Sequence, residues 1–287
     1  MTVVFEEVRL GLPHIELAAH LYGPADGPPV IALHGWLDNA ASFARLAPRL
    51  EGARIVALDF AGHGHSDHRP VGAGYALWDY VHDVLQVAEQ FGWQRFSLLG
   101  HSMGAIVSVL LAGAMPERVA RLALVDGLMP YTGEADTAPE KLAEALRAQM
   151  ALAGKRKPVY AEFDRAVEAR MRGVGAVSRE AAELLAQRGL MPVPGGYTWR
   201  TDTRLTLPSP LRLTKAHALA FVQRLACPTR LIMAEQGMLK AQPHLPALLA
   251  GLPVDIEQLP GGHHLHLDDE AGAQRVADCF KPFLLAP

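Results

Sequence analysis

The stretch Gly100-His101-Ser102-Met103-Gly104 matches the G-x-S-x-G nucleophile elbow and follows directly on the apolar run Arg95-Phe96-Ser97-Leu98-Leu99. A strand that stops in a sharp turn and restarts as a helix pushes the central side chain outward. The flanking glycines keep neighbouring backbone clear of that strained turn. Ala105 to Ala114 (AIVSVLLAGA) has the composition of the helix that should follow. Ser102 then stands at its N-terminus, where free N–H groups favour negative charge developing on a reacting oxygen.

Short apolar runs bounded by Gly, Pro or charge lie on both sides of this stretch: Val30 to Leu33, Arg54 to Leu58, Phe96 to Leu99, Ala120 to Val125 and Thr229 to Met233. Helical stretches separate most of them, which implies a doubly wound, mostly parallel sheet covered by helices on both faces. Alternation in Val3 to Leu10 and Ile15 to Tyr22 adds an N-terminal pair of strands, and Val254 to Gln258 a last one. Between about Leu128 and Leu219 the pattern becomes helical without strands, over Ala138 to Ala153, Pro158 to Arg172 and Ser178 to Arg188. The proline- and glycine-bearing stretch Met191 to Leu213 is expected to be an irregular connection. The division expected is a core from 1–127 and 221–287 with a helical cap inserted at 128–220.

With 287 residues, half of them hydrophobic, the chain can bury a full core. A formal net charge of −3 without blocks of like charge leaves no basic footprint for nucleic acid, so a small, roughly neutral substrate is the default. The longest apolar runs fall short of the roughly 18 residues of a membrane span. The opening MTVVFEEVRL lacks a basic start followed by an apolar stretch, so the expected location is cytoplasmic, with no membrane partner. Cys227 and Cys279 form no C-x-x-C pattern and read as small core hydrophobes.

A serine hydroxyl needs a base, and Pro260-Gly261-Gly262-His263, after the last strand, supplies one. Taken with His34-Gly35-Trp36 and with Asp59-Phe60-Ala61-Gly62-His63-Gly64-His65-Ser66, the chain resembles the α/β-hydrolase superfamily, and His34 to Phe43 (HGWLDNAASF) resembles its serine hydrolase-like subgroup. The resemblance implies an α/β-hydrolase fold with a helical cap, catalysis by Ser102 and His263, and no cofactor or metal. It also implies an oxyanion hole from the backbone N–H groups of Met103 and Trp36, whose side chains then help line the pocket. The register Gly262-His263-His264-Leu265-His266-Leu267-Asp268 favours His263 over His264 and His266 as the base. The acid departs from the usual pattern: Ala234-Glu235-Gln236-Gly237 has Gly237 where related hydrolases commonly place an aspartate. Asp126, in Leu124-Val125-Asp126-Gly127, stands at a second position known in the superfamily and is the first candidate; Glu235 is the alternative.

The reading is a serine hydrolase acting on a small to medium carboxylic ester, oligomeric state undetermined. Carbon–carbon bond hydrolysis or perhydrolysis would use the same triad. A zinc hydrolase is the second alternative, because His63-Gly64-His65-Ser66-Asp67-His68 spells H-x-H-x-D-H. A binding module without turnover is the third. Met129 and Trp199 are candidate pocket residues, with Tyr131 and Leu190 beside them; Arg200, Arg204 and Arg212 are candidates to meet a substrate anion or, more simply, to pair with Asp202.

Overall fold

The computed structural model describes residues 5–154, 156–240, 249 and 251–286. Eight strands form one sheet: β1 (Glu6–Gly11), β2 (Glu16–Tyr22), β3 (Pro29–Leu33), β4 (Arg54–Leu58), β5 (Phe96–His101), β6 (Val119–Val125), β9 (Thr229–Gln236) and β10 (Asp255–Gly262). Their spatial order is β1-β2-β4-β3-β5-β6-β9-β10. β2 runs antiparallel to β1 and β4, and every later pairing is parallel. Residues 1–4, at the start of the first expected strand, lie outside the described residues.

The central strands carry apolar residues toward both faces because both faces are covered. Ile31, Leu33, Val56, Leu58, Leu98, Leu122, Leu124 and Leu231 point into one layer, with α1 (Leu77–Gln90), α2 (Met103–Ala114) and α6 (Lys215–Gln223). Val30, Ala32, Ile55, Ala57, Leu99, Ala123, Val125 and Ile232 point into the other, with Phe43 and α7 (Glu270–Leu284). Each fully buried Val, Leu or Ile contributes about 1.5–3 kcal/mol. α2 is apolar around most of its circumference and is buried accordingly.

Between β6 and α6 the chain leaves the sheet and forms α3 (Ala138–Ala151), α4 (Phe163–Met171) and α5 (Arg179–Gly189), close to the expected helices. One expectation is corrected here. Met191 to Leu213 is not wholly irregular and the stretch between β6 and α6 is not free of strands: β7 (Leu190–Val193) and β8 (Gly196–Trp199) form an antiparallel hairpin. The residues that suggested an irregular connection make its turn, Pro194 leading into Gly195 at φ 92°. Tyr160 bridges to Tyr197 in extended conformation, which delays α4 to Phe163.

Two arginines pin this insertion to the sheet. Arg188, near the end of α5, is buried and donates through Nε to both oxygens of buried Asp59, at 3.0 and 2.9 Å, and through Nη1 to Glu7 Oε1 at 3.0 Å. Burial alone would raise the Asp59 pKa, but the guanidinium outweighs it and holds the carboxyl below its ordinary value. Arg170, in α4, makes the second connection, to Asp38. No helix among the described residues is long and apolar enough to cross a membrane.

Candidate active site

β5 ends at His101 and α2 begins at Met103, so Ser102 alone makes the turn, with φ 52° and ψ −115°. A non-glycine residue at positive φ costs of order 1–3 kcal/mol and persists only where its surroundings enforce it. The surroundings are tight. A Cβ on Gly100 would lie 2.5 Å from Ala105 Cα, one on Gly104 1.9 Å from the Leu33 carbonyl oxygen, and one on Gly127 2.6 Å from the Ser102 carbonyl oxygen. Glycine at these places lets β5, α2 and β3 approach closely enough to hold the turn.

The Ser102 hydroxyl lies 2.9 Å from His263 Nε2, and His263 Nδ1 lies 2.6 Å from Asp126 Oδ2. The carboxylate has no proton to give, so Nδ1 donates to it and Nε2 is left to accept from Ser102. His263 follows β10 through an irregular pairing between Leu259 and Gly262; Gly261 there has φ 132°, and a Cβ on it would lie 2.9 Å from Leu265 Cβ.

Asp126 closes β6 at φ 43° and is buried, with Oδ1 accepting from Ala234 N–H at 3.3 Å and Oδ2 from Met238 N–H at 2.8 Å. A Cβ on Gly237 would lie 2.4 Å from either oxygen of this carboxylate. The position that lacks an acid is thus the wall of the cradle that receives one from the neighbouring strand. Glu235 points into solvent from the end of β9.

Met103 N–H lies in the first turn of α2, where helix N–H groups have no intrahelical acceptor. The loop carrying Trp36 is fixed by His34, whose Nδ1 donates to the Gly35 carbonyl at 2.7 Å while its Nε2 accepts from Phe60 N–H at 3.0 Å. Trp36 is partly exposed, and its Nε1–H donates to the Leu205 carbonyl at 3.0 Å. Met103 and Met129 pack against the core layer that contains α2. Trp199 packs against the apolar cluster of α4 and α5, near enough to Gly189 that a Cβ there would lie 2.9 Å from its ring; Leu190 belongs to the same cluster, and Tyr131 is exposed.

Comparison with known proteins agrees with this architecture. A family model described as the alpha/beta hydrolase fold matches residues 28–163. A serine hydrolase-like protein of Danio rerio is 31% identical over 290 residues, covering 96% of this chain and 88% of the relative. The chain belongs to the α/β-hydrolase family. A structure of a hypothetical protein from Pseudomonas aeruginosa superposes on this hydrolase with a TM-score of 0.95 at 76% identity, covering 97% of this chain and 99% of that one. A thioesterase domain from the curacin biosynthetic pathway shares the fold, with a TM-score of 0.81 at 24% identity over 96% of this chain and 99% of its own.

The hydrolase disperses the H-x-H-x-D-H residues. His63 is buried and donates through Nδ1 to the Ala61 carbonyl at 3.1 Å, His65 bonds Glu7 at 2.7 Å, His68 donates to the Arg200 carbonyl at 2.9 Å, and Asp67 is exposed. Among the described residues, two other groups, Asp38/His101/His264 and His14/His82/Asp83, bring three metal-ligating atoms together. In each, a guanidinium already bonds the carboxylate, Arg170 on Asp38 at 2.7 Å and Arg69 on Asp83 at 2.6 Å. Arg204 is engaged by Asp202 and by the carbonyls of Arg69, Pro70 and Ala73, and Arg200 Nε faces the Leu190 carbonyl at 3.3 Å.

His101, read from the sequence only as the x of the motif, is a structural member of the site. It is buried, and its Nε2 donates to the His263 carbonyl at 2.9 Å. Burial, reinforced by His266, His264 and His263 around it, pushes its pKa well below the ordinary imidazole value and keeps it neutral. Asp38, Arg170 and Gly175 were likewise not singled out. The one signal available was the acid at the fifth position of His34-Gly35-Trp36-Leu37-Asp38; no local pattern points to its partner more than a hundred residues away.

Proposed function

We propose that this α/β hydrolase is a serine hydrolase that cleaves a small to medium, uncharged carboxylic ester by acyl transfer through Ser102. The observation that carries the reading is the continuous hydrogen-bonded chain from Ser102 through His263 to Asp126. His263 takes the hydroxyl proton as Ser102 attacks the ester carbonyl. The Met103 and Trp36 N–H groups receive the tetrahedral oxyanion, and Asp126 holds the imidazole in orientation and balances its charge. His263 then returns the proton to the leaving alcohol, and water repeats the cycle to release the acid. Trp36, Met103, Met129 and Trp199 are the pocket side chains in this reading, and residues 128–220 are the cap over the serine. The engagement of Arg204 and Arg200 by protein groups supports an uncharged substrate. A cytoplasmic location fits the same reading.

The test is a p-nitrophenyl ester panel with a fluorophosphonate probe, run with and without EDTA on wild type and Ser102→Ala. Expected are labelling of wild type alone and EDTA-resistant turnover that Ser102→Ala abolishes. Labelling without ester turnover would move the reading to another chemistry on the same serine. EDTA-sensitive turnover without labelling would overturn it in favour of a metal enzyme.

A further inference from the structure

Beside the triad lies a second buried polar cluster that the proposed reaction does not use. Asp38, His101 and His264 are all buried, and Arg170 reaches them from α4. Arg170 Nη2 donates to Asp38 Oδ1 at 2.7 Å and lies 3.2 Å from His264 Nε2, while Nη1 donates to the Gly175 carbonyl at 3.1 Å. Asp38 Oδ2 accepts from His264 Nε2 at 3.0 Å and stands 3.9 Å from His101 Nδ1.

Each partner belongs to a different part of the site. Asp38 is two residues beyond Trp36, and its N–H donates to the Gly35 carbonyl. His264 adjoins His263, and the His101 ring packs 4.7 Å from the His263 ring. Gly175, at φ 59° in the turn between α4 and α5, lies directly on the base: a Cβ there would be 2.9 Å from both His263 Cδ2 and His264 Cε1.

We propose that Arg170 is a positioning residue which, through Asp38, His264 and Gly175, registers the Trp36 loop, the His263 loop and the cap against one another. The proposal rests on the hydrolase reading above. A fully buried carboxylate needs a compensating charge, and for Asp38 that charge comes from the cap. Burial disfavours the Asp38 anion, but Arg170 and His264 outweigh burial and hold its pKa well below the ordinary carboxylate value. Without the guanidinium, Asp38 and its histidine partners must rearrange, and both loops that face the reacting ester move with them. An active site tolerates little of this, since a displacement of about 1 Å can lower the rate about 100-fold.

The test compares wild type, Arg170→Met and Arg170→Lys with p-nitrophenyl acetate, an ester too small to reach far into the cap. Expected for Arg170→Met are a kcat lower by about 100-fold, a KM changed by less than about threefold, and fluorophosphonate labelling slowed in proportion to kcat/KM. Arg170→Lys, which restores a cation, should recover part of the loss. The low-field proton resonance of the His263 Nδ1–H bonded to Asp126 should shift or broaden in Arg170→Met. Should that variant fail to fold, Asp38→Asn/Arg170→Met, which leaves neither charge buried, is measured in its place. A folded variant with near-wild-type kcat and an unmoved resonance overturns the proposal. Wild type that neither labels nor hydrolyses esters overturns the hydrolase reading instead, and the resonance then still decides the role of Arg170.

Discussion

Asp126 and Gly237 act as one unit. The carboxylate enters from β6 and fills the space that a side chain at 237 would take, and the backbone of β9 and of the turn after it supplies its donors, Ala234 N–H at 3.3 Å and Met238 N–H at 2.8 Å. Asp126→Asn keeps the shape but favours the wrong imidazole tautomer, so kcat should fall by about 10,000-fold, whereas Glu235→Gln, a change in solvent, should leave it within about twofold. Steady-state ester hydrolysis with thermal melts checks both, and a near-normal Asp126→Asn would return the role to Glu235. Gly237→Ala is the sharper probe. It alters no ionisable group, yet its methyl must push the Asp126 carboxylate off His263, and kcat should drop about 100-fold while the fold stays cooperative; unchanged turnover would contradict the steric account. The vacancy at 237 was visible in the sequence. Its cause was not, because β6 and β9 become neighbours only through parallel pairing across about a hundred residues.

At the level of elements, the strands around the elbow were readable because each is a short, predominantly apolar run, and burial on both faces of a parallel sheet demands that composition. The hairpin β7–β8 was not: two four-residue strands give too few alternations to show a period, and Pro192, Pro194 and Gly195 mask them. The ion pairs that hold α4 and α5 were illegible for another reason, since their partners are more than a hundred residues apart, Arg188 with Asp59 and Arg170 with Asp38. α5 is anchored by more than charge: Asn39 Nδ2 donates to the Leu185 carbonyl at 2.9 Å. Arg188→Met would leave Asp59 buried without its cation and should destabilise by about 3–5 kcal/mol in denaturant titration; a loss below about 1 kcal/mol would show that the seating of α5 does not depend on the pair. Within the core, Gly104→Ala places a methyl 1.9 Å from the Leu33 carbonyl oxygen, with backbone rather than a flexible side chain as the obstacle. It should cost about 1–3 kcal/mol or more by the same measurement, and a loss below about 1 kcal/mol would mean that α2 can slide on β3.

Across the whole molecule, the buried histidines, with His63 of the H-x-H-x-D-H segment among them, bear on stability. His63 and His266 are fully enclosed, and burial, with a neighbouring histidine adding to it, pushes each pKa down to about 3; burial and then Arg188 lower His20 to about 4. His34 and His101 are shifted the same way by burial. In the unfolded chain these imidazoles titrate near pH 6.5. Between that pH and the native values the unfolded state binds protons that the native state does not, so stability is complete above about pH 6.5 and falls as the pH drops through the window. At pH 5 the lost contribution is about 2 kcal/mol for each of His20, His63 and His266, a large share of the 5–15 kcal/mol typical of a whole protein. Asp38 and Asp59, both held below the ordinary carboxylate range, add their loss only below about pH 4. Denaturation midpoints should therefore stay level above about pH 6.5 and decline from there to pH 5, well before carboxylates titrate. His63→Gln, which removes one buried imidazole, should flatten that decline by about 1.4 kcal/mol per pH unit even if it weakens the protein at pH 7. Midpoints that stay level from pH 7 to pH 5, or a slope that His63→Gln leaves unaltered, would mean that these rings take up protons in the native state and that the core opens to admit them.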